Sequence, residues 1–128
     1  MAYPDRYLLF IEYFNKGKYM SAQTTLDEIW LDETGPDKDF FGGLIQAAVA
    51  LYHLTNENPQ GAKKIYTAAR VMLKPYGDIH LGLSVSKLIG DFDELFRKHV
   101  KVDDPRTDYR NLLPKLEFDD ACAPSPSS

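Results

Sequence analysis

The chain has 128 residues, enough for one domain that buries roughly two-thirds of its unfolded surface. With 44% hydrophobic and 27% charged residues, the composition is typical of a globular protein and excludes wholesale disorder. Fifteen basic against nineteen acidic residues give a net charge of -4, which argues against a nucleic-acid partner. No apolar run approaches the roughly 18 residues of a membrane span, no signal-peptide pattern opens the chain, and Cys122 is the single cysteine. We therefore expect a cytoplasmic protein that contacts neither membrane nor nucleic acid.

The first two predicted helices form a hairpin. Apolar residues at three- and four-residue spacings predict helices over residues 4–15 and 18–31, separated by a turn at Gly17. Gln23 lies inside the apolar stripe of the second helix. Its amide therefore needs a hydrogen-bond partner.

The third predicted helix, residues 36–56, is the most apolar segment of the chain. Pro36 suits its first position, and Asp37 and Asp39 suit the positive end of the helix. Over residues 40–54 almost every side chain is apolar or small, so no wide polar face is left for water. We predict that this helix is central and that the others pack around it.

Two more helices follow. Asn58 is a suitable cap for a helix that ends near Leu73, residues 75–82 read as a connecting loop, and Ser84 is placed to cap the fifth helix. The predicted fold class is all-α: an antiparallel bundle of about five helices, built from two helical hairpins plus a fifth helix, with an extended C-terminal arm.

The arm is predicted from a change of pattern beyond Val100. Leu112, Pro114, Leu116 and Phe118 follow one another with a period of two, and proline keeps such a segment out of a sheet interior. We expect residues 1–118 to form a single helical domain with this arm. Residues 119–128 are small, acidic or proline-rich and are expected to be a flexible tail.

The two hairpins echo each other in sequence. Residues 14–22 align with residues 54–62 at a shift of 40, each with an apolar residue, a polar turn and a small residue. Stacked tetratricopeptide-like hairpins need this pattern. The alternative is that any antiparallel helix pair looks alike.

Three segments carry a family resemblance. They are Phe-Asn-Lys-Gly-Lys-Tyr at residues 14–19, Leu-Asp-Glu-Ile-Trp at 26–30, and the apolar run at 40–54. Through these segments, and more weakly over roughly residues 5 to 90, the chain resembles the domain-of-unknown-function 309 family. The resemblance implies a small all-helical protein and brings no activity with it.

The family pattern that most suggests a metal or acid–base role is altered in this chain. The pattern is Ala-His-Glu followed by Glu and then Trp on the second helix. Ala22 and Trp30 match it, but Gln23 stands where His is usual, Thr24 where Glu is usual, and Asp27 at the next acidic position. Because Gln cannot titrate and is a poor ligand for transition metals, we expect no metal site and no cofactor built on this pattern.

Five residues are candidates for a pocket between the second and third helices. Gln23, Asp27 and Trp30 share one face of the second helix, and Gln46 and His53 share one face of the third. Two interpretations stay open. The glutamines either close the helix pair as a structural hydrogen-bond network, or orient a small ligand against Trp30, with Asp27 as the titrating carboxylate.

The leading functional interpretation is a non-catalytic helical interaction or scaffold module with a protein partner. Six acids within residues 27–39 form a rim that is either solvated or docks a basic partner. The alternative is a small-ligand-binding protein or residual enzyme with the pocket described above. Self-association is a third possibility, through aromatic residues expected to be exposed: Tyr3, Tyr13 and Tyr109. The three histidines, His53, His80 and His99, lack ligand spacing.

Overall fold

The computed structural model describes residues 3–100 and 113–118. Its helices are α1 (Asp5–Asn15), α2 (Tyr19–Asp32), α3 (Lys38–Thr55), α4 (Pro59–Leu73) and α5 (Val85–Glu94), with a 3-10 turn at Lys74–Tyr76 and a π-helical turn at Leu95–His99. Two short strands, β1 (Ile79–His80) and β2 (Leu83–Ser84), precede α5. The predicted all-α bundle of two hairpins, a fifth helix and an extended arm is confirmed.

Helix α3 is the centre of the bundle, as predicted. Eleven of its residues are buried, and α2 and α4 pack along it. It begins at Lys38, two residues later than the proline signal predicted. The reason is that the Tyr76 hydroxyl donates to the Pro36 carbonyl at 2.6 Å and accepts from the Phe40 N–H at 3.0 Å. These two groups would otherwise bond each other in a continuing helix.

The turns of the two hairpins repeat the same geometry. The same backbone bond closes each turn, from the Lys18 N–H to the Tyr13 carbonyl and from the Asn58 N–H to the His53 carbonyl, both at 2.9 Å. Gly17 and Glu57, 40 residues apart, both have positive φ, at 79° and 62°. The sequence echo therefore extends to the backbone conformation of the turns.

A small hairpin replaces part of the loop predicted at residues 75–82. Leu81 and Gly82, at its tip, have φ of 46° and 78°. The Tyr7 hydroxyl donates to the Leu81 carbonyl at 2.7 Å, which ties the tip to α1. The loop prediction was wrong here because strands of two residues are too short to show an alternating pattern.

The extended arm lies against the bundle. The Asn15 side chain accepts from the Leu116 N–H at 2.6 Å and donates to the Leu116 carbonyl at 2.9 Å. The Ser84 N–H donates to the Glu117 carbonyl at 3.1 Å, and Phe118 forms a bridge with Leu83. Leu112 and the predicted tail at 119–128 lie outside the described residues.

Aromatic and charged groups join α4 to α5. The Tyr66 ring stacks on Phe92 with centroids 4.5 Å apart, and Phe96 lies parallel at 5.5 Å. The Tyr66 hydroxyl donates to Asp93 Oδ1 at 2.6 Å, and Arg70 Nε lies 3.2 Å from the same oxygen. Burial, strengthened by the Asp93 carboxylate, raises the pKa of Tyr66 above its ordinary range.

Two of the three aromatic residues expected to be exposed are described, and both are partly covered. Tyr3 is half-buried, with its ring centroid 5.8 Å from that of Tyr7 and 5.3 Å from that of Phe118. Tyr13 is also half-buried, and Tyr109 lies outside the described residues. For Tyr3 the prediction was wrong, because the arm folds back over it.

Candidate functional site

The five predicted pocket residues lie on α2 and α3. Gln23, Asp27 and Trp30 follow one another along α2, and Gln46 and His53 lie on α3. All five are half-buried, which places them along the margins of the core. The two helices pack against each other, as the prediction required.

Trp30 closes one end of this region. A Cβ added at Gly42 would lie 3.1 Å from Trp30 Nε1 and 2.6 Å from Met72 Cε. Side chains of α2 and α4 therefore both reach over α3 at this glycine. Lys38 holds Trp30 in place, since its Nζ lies 4.5 Å from the ring centroid and donates to the Trp30 carbonyl at 2.8 Å.

Beyond Gly42, the same side of α3 is less covered. Gln46, Val49 and His53 continue from it at four- and three-residue steps, and all three are half-buried while most of α3 is buried. We refer to these three residues as the α3 strip. A partner or ligand can reach these three residues on the same side of α3 as Gly42.

The predicted glutamine network is not formed. Neither Gln23 nor Gln46 makes a side-chain hydrogen bond with another residue of the described ranges. The bonds that the structural interpretation requires are therefore not seen among the described residues. Because both amides are only half-buried, water can satisfy them without the penalty of full burial.

Asp27 is the carboxylate of this region. Burial raises the pKa of its side chain above the ordinary value of an aspartate. It forms no ion pair with a described residue. Its charge is therefore not neutralised by any side chain that the structure describes.

His53 is engaged away from the glutamines. Its Nδ1 lies 3.2 Å from Asn58 Nδ2, and Asn58 Oδ1 accepts from the Gly61 N–H at 3.1 Å. The imidazole therefore supports the residue that caps α4. This contact gives His53 a structural role in the α3–α4 turn.

A second cluster of titratable groups was missed from the sequence. His80 Nε2 lies 2.8 Å from Asp37 Oδ1, although the residues are 43 positions apart. The His80 ring packs at 4.7 Å from both Phe40 and Tyr76, measured between ring centroids. We call these four residues the His80 corner.

The contacts of the His80 corner are structural in character. Its polar atoms join the α2–α3 turn to the small hairpin, and the ring of Phe40 beneath them is fully buried. Leu81, whose φ is positive, follows His80 directly and fixes the direction of the strand. Only a signal for the hairpin itself could have revealed this corner in the sequence, and its Leu-Gly tip lacks the usual Asn-Gly pattern.

A groove of about 470 Å³ lies between the arm and α5. Lys87, Asp91 and Glu94 line it on one side, and residues 113–117 on the other. Lys87 Nζ bonds Asp91 Oδ2 at 2.8 Å across one helical turn. Within the described residues, no three His, Cys, Asp or Glu side chains are grouped as metal ligands.

Comparison with known proteins returns one finding. Residues 7–65 match the family model described as Domain of unknown function (DUF309). Searches of curated proteins and of solved structures return no match. Among the described residues, no helix has both the length and the apolar character needed to cross a membrane.

Proposed function

Residues 7–65 match the model of the DUF309 family, whose function is unassigned, and from this premise we propose that the protein is a non-catalytic helical interaction or scaffold module. The proposal rests on the side-chain amides of Gln23 and of Gln46 in the α3 strip. Neither amide has a hydrogen-bond partner among the described residues. Elsewhere in the described bundle, polar side chains such as Tyr7, Tyr66 and Asn15 are used to join one element to another.

Uncommitted amides beside apolar surface are suited to recognition. Each amide offers two donors and one acceptor oxygen, so it can pair with the backbone of a partner without any titration. Trp30, Val49 and Met72 supply half-buried apolar surface around them. Aromatic and methionine side chains of this kind are enriched at protein interfaces.

The repeated turn supports a tetratricopeptide-like arrangement of the two hairpins. In such proteins, stacked helical hairpins present one face to a partner while the other packs internally. The equivalent backbone bonds at Lys18 and Asn58 agree with this arrangement. We place the module in the cytoplasm, where a chain with Cys122 as its single cysteine needs no disulfide.

Site-specific photo-cross-linking in the native cell tests the interaction module. A photo-reactive residue at Gln46 should capture a discrete protein, and one at the exposed Ser86 of α5 should not. Gln23→Arg should reduce capture from position 46 while the circular dichroism spectrum stays unchanged. Equal capture at both positions, or no protein captured at position 46, would contradict the proposal.

A small-ligand pocket between α2 and α3 is the second candidate. The raised pKa of Asp27 and the two uncommitted amides favour it, because such groups can orient a polar ligand. Native mass spectrometry of protein purified from its own cells should then show a retained small molecule. If the small molecule is lost in Gln23→Leu/Gln46→Leu and no protein is captured at position 46, the result would favour a ligand-binding protein over an interaction module.

A further inference from the structure

The two helices that flank α3 carry opposite charge. Helix α2 contains Asp27, Glu28 and Asp32 and no lysine or arginine. Helix α4 contains Lys63, Lys64 and Arg70 and no aspartate or glutamate. Both helices pack against α3.

Part of this charge is used inside the molecule. Arg6 of α1 pairs with Glu28 at 2.8 Å, and Arg70 pairs with Asp93 of α5 at 3.2 Å. The remaining charges form no ion pair with any side chain in the described ranges; they are Asp27 and Asp32 on α2, and Lys63 and Lys64 on α4. Within the described ranges, each helix thus presents charge of a single sign that no described side chain compensates.

An exposed apolar side chain accompanies the charge on each helix. Leu31 of α2 is 66% exposed and Val71 of α4 is 71% exposed, the largest exposures among the described large apolar residues. Asp27 precedes Leu31 by four residues, and Lys64 precedes Val71 by seven, so each charge shares a helix face with its apolar neighbour. We call these two surfaces the α2 flank and the α4 flank.

We infer that a second copy of this chain docks on these flanks, with the α2 flank of one copy against the α4 flank of the other. The inference rests on the proposed function and names its partner. The molecule itself supplies the complementary surface, since acidic meets basic in this pairing and Leu31 and Val71 are covered. Pairing like flanks would oppose like charges.

The two α2-flank to α4-flank contacts form at once if the copies are related by a two-fold axis that is parallel to α3 and runs between the copies. Trp30 and Met72 approach each other over Gly42, so α2 and α4 border the same side of α3. Rotation about such an axis places each α2 flank over the partner's α4 flank. The contacts then close a dimer instead of propagating a chain.

Sedimentation of the purified full chain over a concentration series tests the dimer. We expect a monomer–dimer equilibrium that weakens at least about fivefold between roughly 0.05 M and 0.5 M salt, because screening shortens the reach of exposed charges. A monomer at every concentration, or species that grow beyond a dimer, would overturn the inference.

Charge reversal makes the test specific. Asp27→Lys/Asp32→Lys makes the α2 flank basic, and Lys63→Glu/Lys64→Glu makes the α4 flank acidic. Each variant alone should dimerise at least about tenfold more weakly, because like charges face each other in both contacts. Mixed together, the two variants should form a heterodimer, since each reversed flank meets a flank of opposite sign.

The control is Lys16→Glu/Lys18→Glu, which changes the net charge by the same amount and in the same direction as Lys63→Glu/Lys64→Glu, but at exposed positions of the α1–α2 turn. This variant should dimerise like the wild type, with all circular dichroism spectra superimposable. If the mixed variants fail to associate, or if the control weakens the dimer equally, the inferred dimer would be contradicted. A monomeric chain that still captures another protein at position 46 would leave the proposed function standing without this partner.

Discussion

Among the described residues, Glu57 and Leu81 are the non-glycine residues whose backbone conformation favours glycine. Leu81 holds the tip of the small hairpin, where its carbonyl accepts from Tyr7. Glu57 occupies the turn position that glycine fills in the first hairpin. Left-handed φ at a non-glycine residue costs roughly 1 kcal/mol or more, so both positions store strain. At Leu81 the strain is offset by a tertiary contact, whereas Glu57 is exposed.

Glu57→Gly should therefore stabilise the protein. We expect the free energy of unfolding to rise by about 0.5–1 kcal/mol in urea denaturation. The matched variant Gly17→Ala should lower it by about 1 kcal/mol, because it introduces the same strain at the equivalent turn. A Glu57→Gly protein less stable than wild type would contradict this account of the turn.

Gln23→Leu tests whether the amide is structurally required. Since Gln23 bonds no described residue, no partner is left unsatisfied when the amide is removed. The free energy of unfolding should change by less than about 0.5 kcal/mol, as for a surface substitution. A fall of about 1–3 kcal/mol in the free energy of unfolding would instead support the hydrogen-bond network that the sequence suggested.

At the scale of elements, the side chain of Asn15 is one of the groups that attach the arm. Asn15, the last residue of α1, bonds both backbone groups of Leu116 as a neighbouring strand would. Pro114 and Leu116 of the arm are buried. Helix α1, the arm and the small hairpin are therefore joined at one place, since Glu117 and Phe118 bond β2.

Asn15→Ala should loosen the arm. Two hydrogen bonds to a buried segment are lost, and we expect about 1–3 kcal/mol of destabilisation. Amide exchange at Leu116 should become faster than in the wild type. Thr55→Ala, at the equivalent position of the second hairpin, should leave exchange at Leu116 unchanged. Protection at Leu116 that survives Asn15→Ala would show that other contacts hold the arm.

At the scale of the whole molecule, buried tyrosines make stability depend on alkaline pH. Burial raises the pKa of Tyr19 to about 12, and it raises the pKa of Tyr7 and Tyr66 above the ordinary range. A raised pKa in the folded state means that the folded protein holds the phenolic proton more tightly than the unfolded chain. This stability is complete below about pH 10 and is lost as the pH rises through the folded pKa.

The free energy of unfolding should fall steeply between about pH 10 and 12. Each buried tyrosine contributes up to about 1.4 kcal/mol per pH unit in this range. Tyr19→Phe should reduce the slope by about that amount, while its stability at pH 7 stays within about 0.5 kcal/mol of wild type. Equal slopes for the two proteins would contradict the burial of this hydroxyl.

The sequence determined the helices, their order and the central position of α3. Hydrophobic periodicity is local information, and eleven buried residues in one helix leave few alternatives for its surroundings. It also determined the two hairpin turns, because Gly17 and Asn58 act on their own neighbours.

Only the tertiary structure decided the His80 corner, the attachment of the arm by Asn15 and the absence of a bond between the described glutamines. Each depends on atoms brought together from distant positions, 43 residues apart for Asp37 and His80 and 101 for Asn15 and Leu116. Distances of this kind are set by how helices pack, and side-chain spacing along one helix carries no record of them.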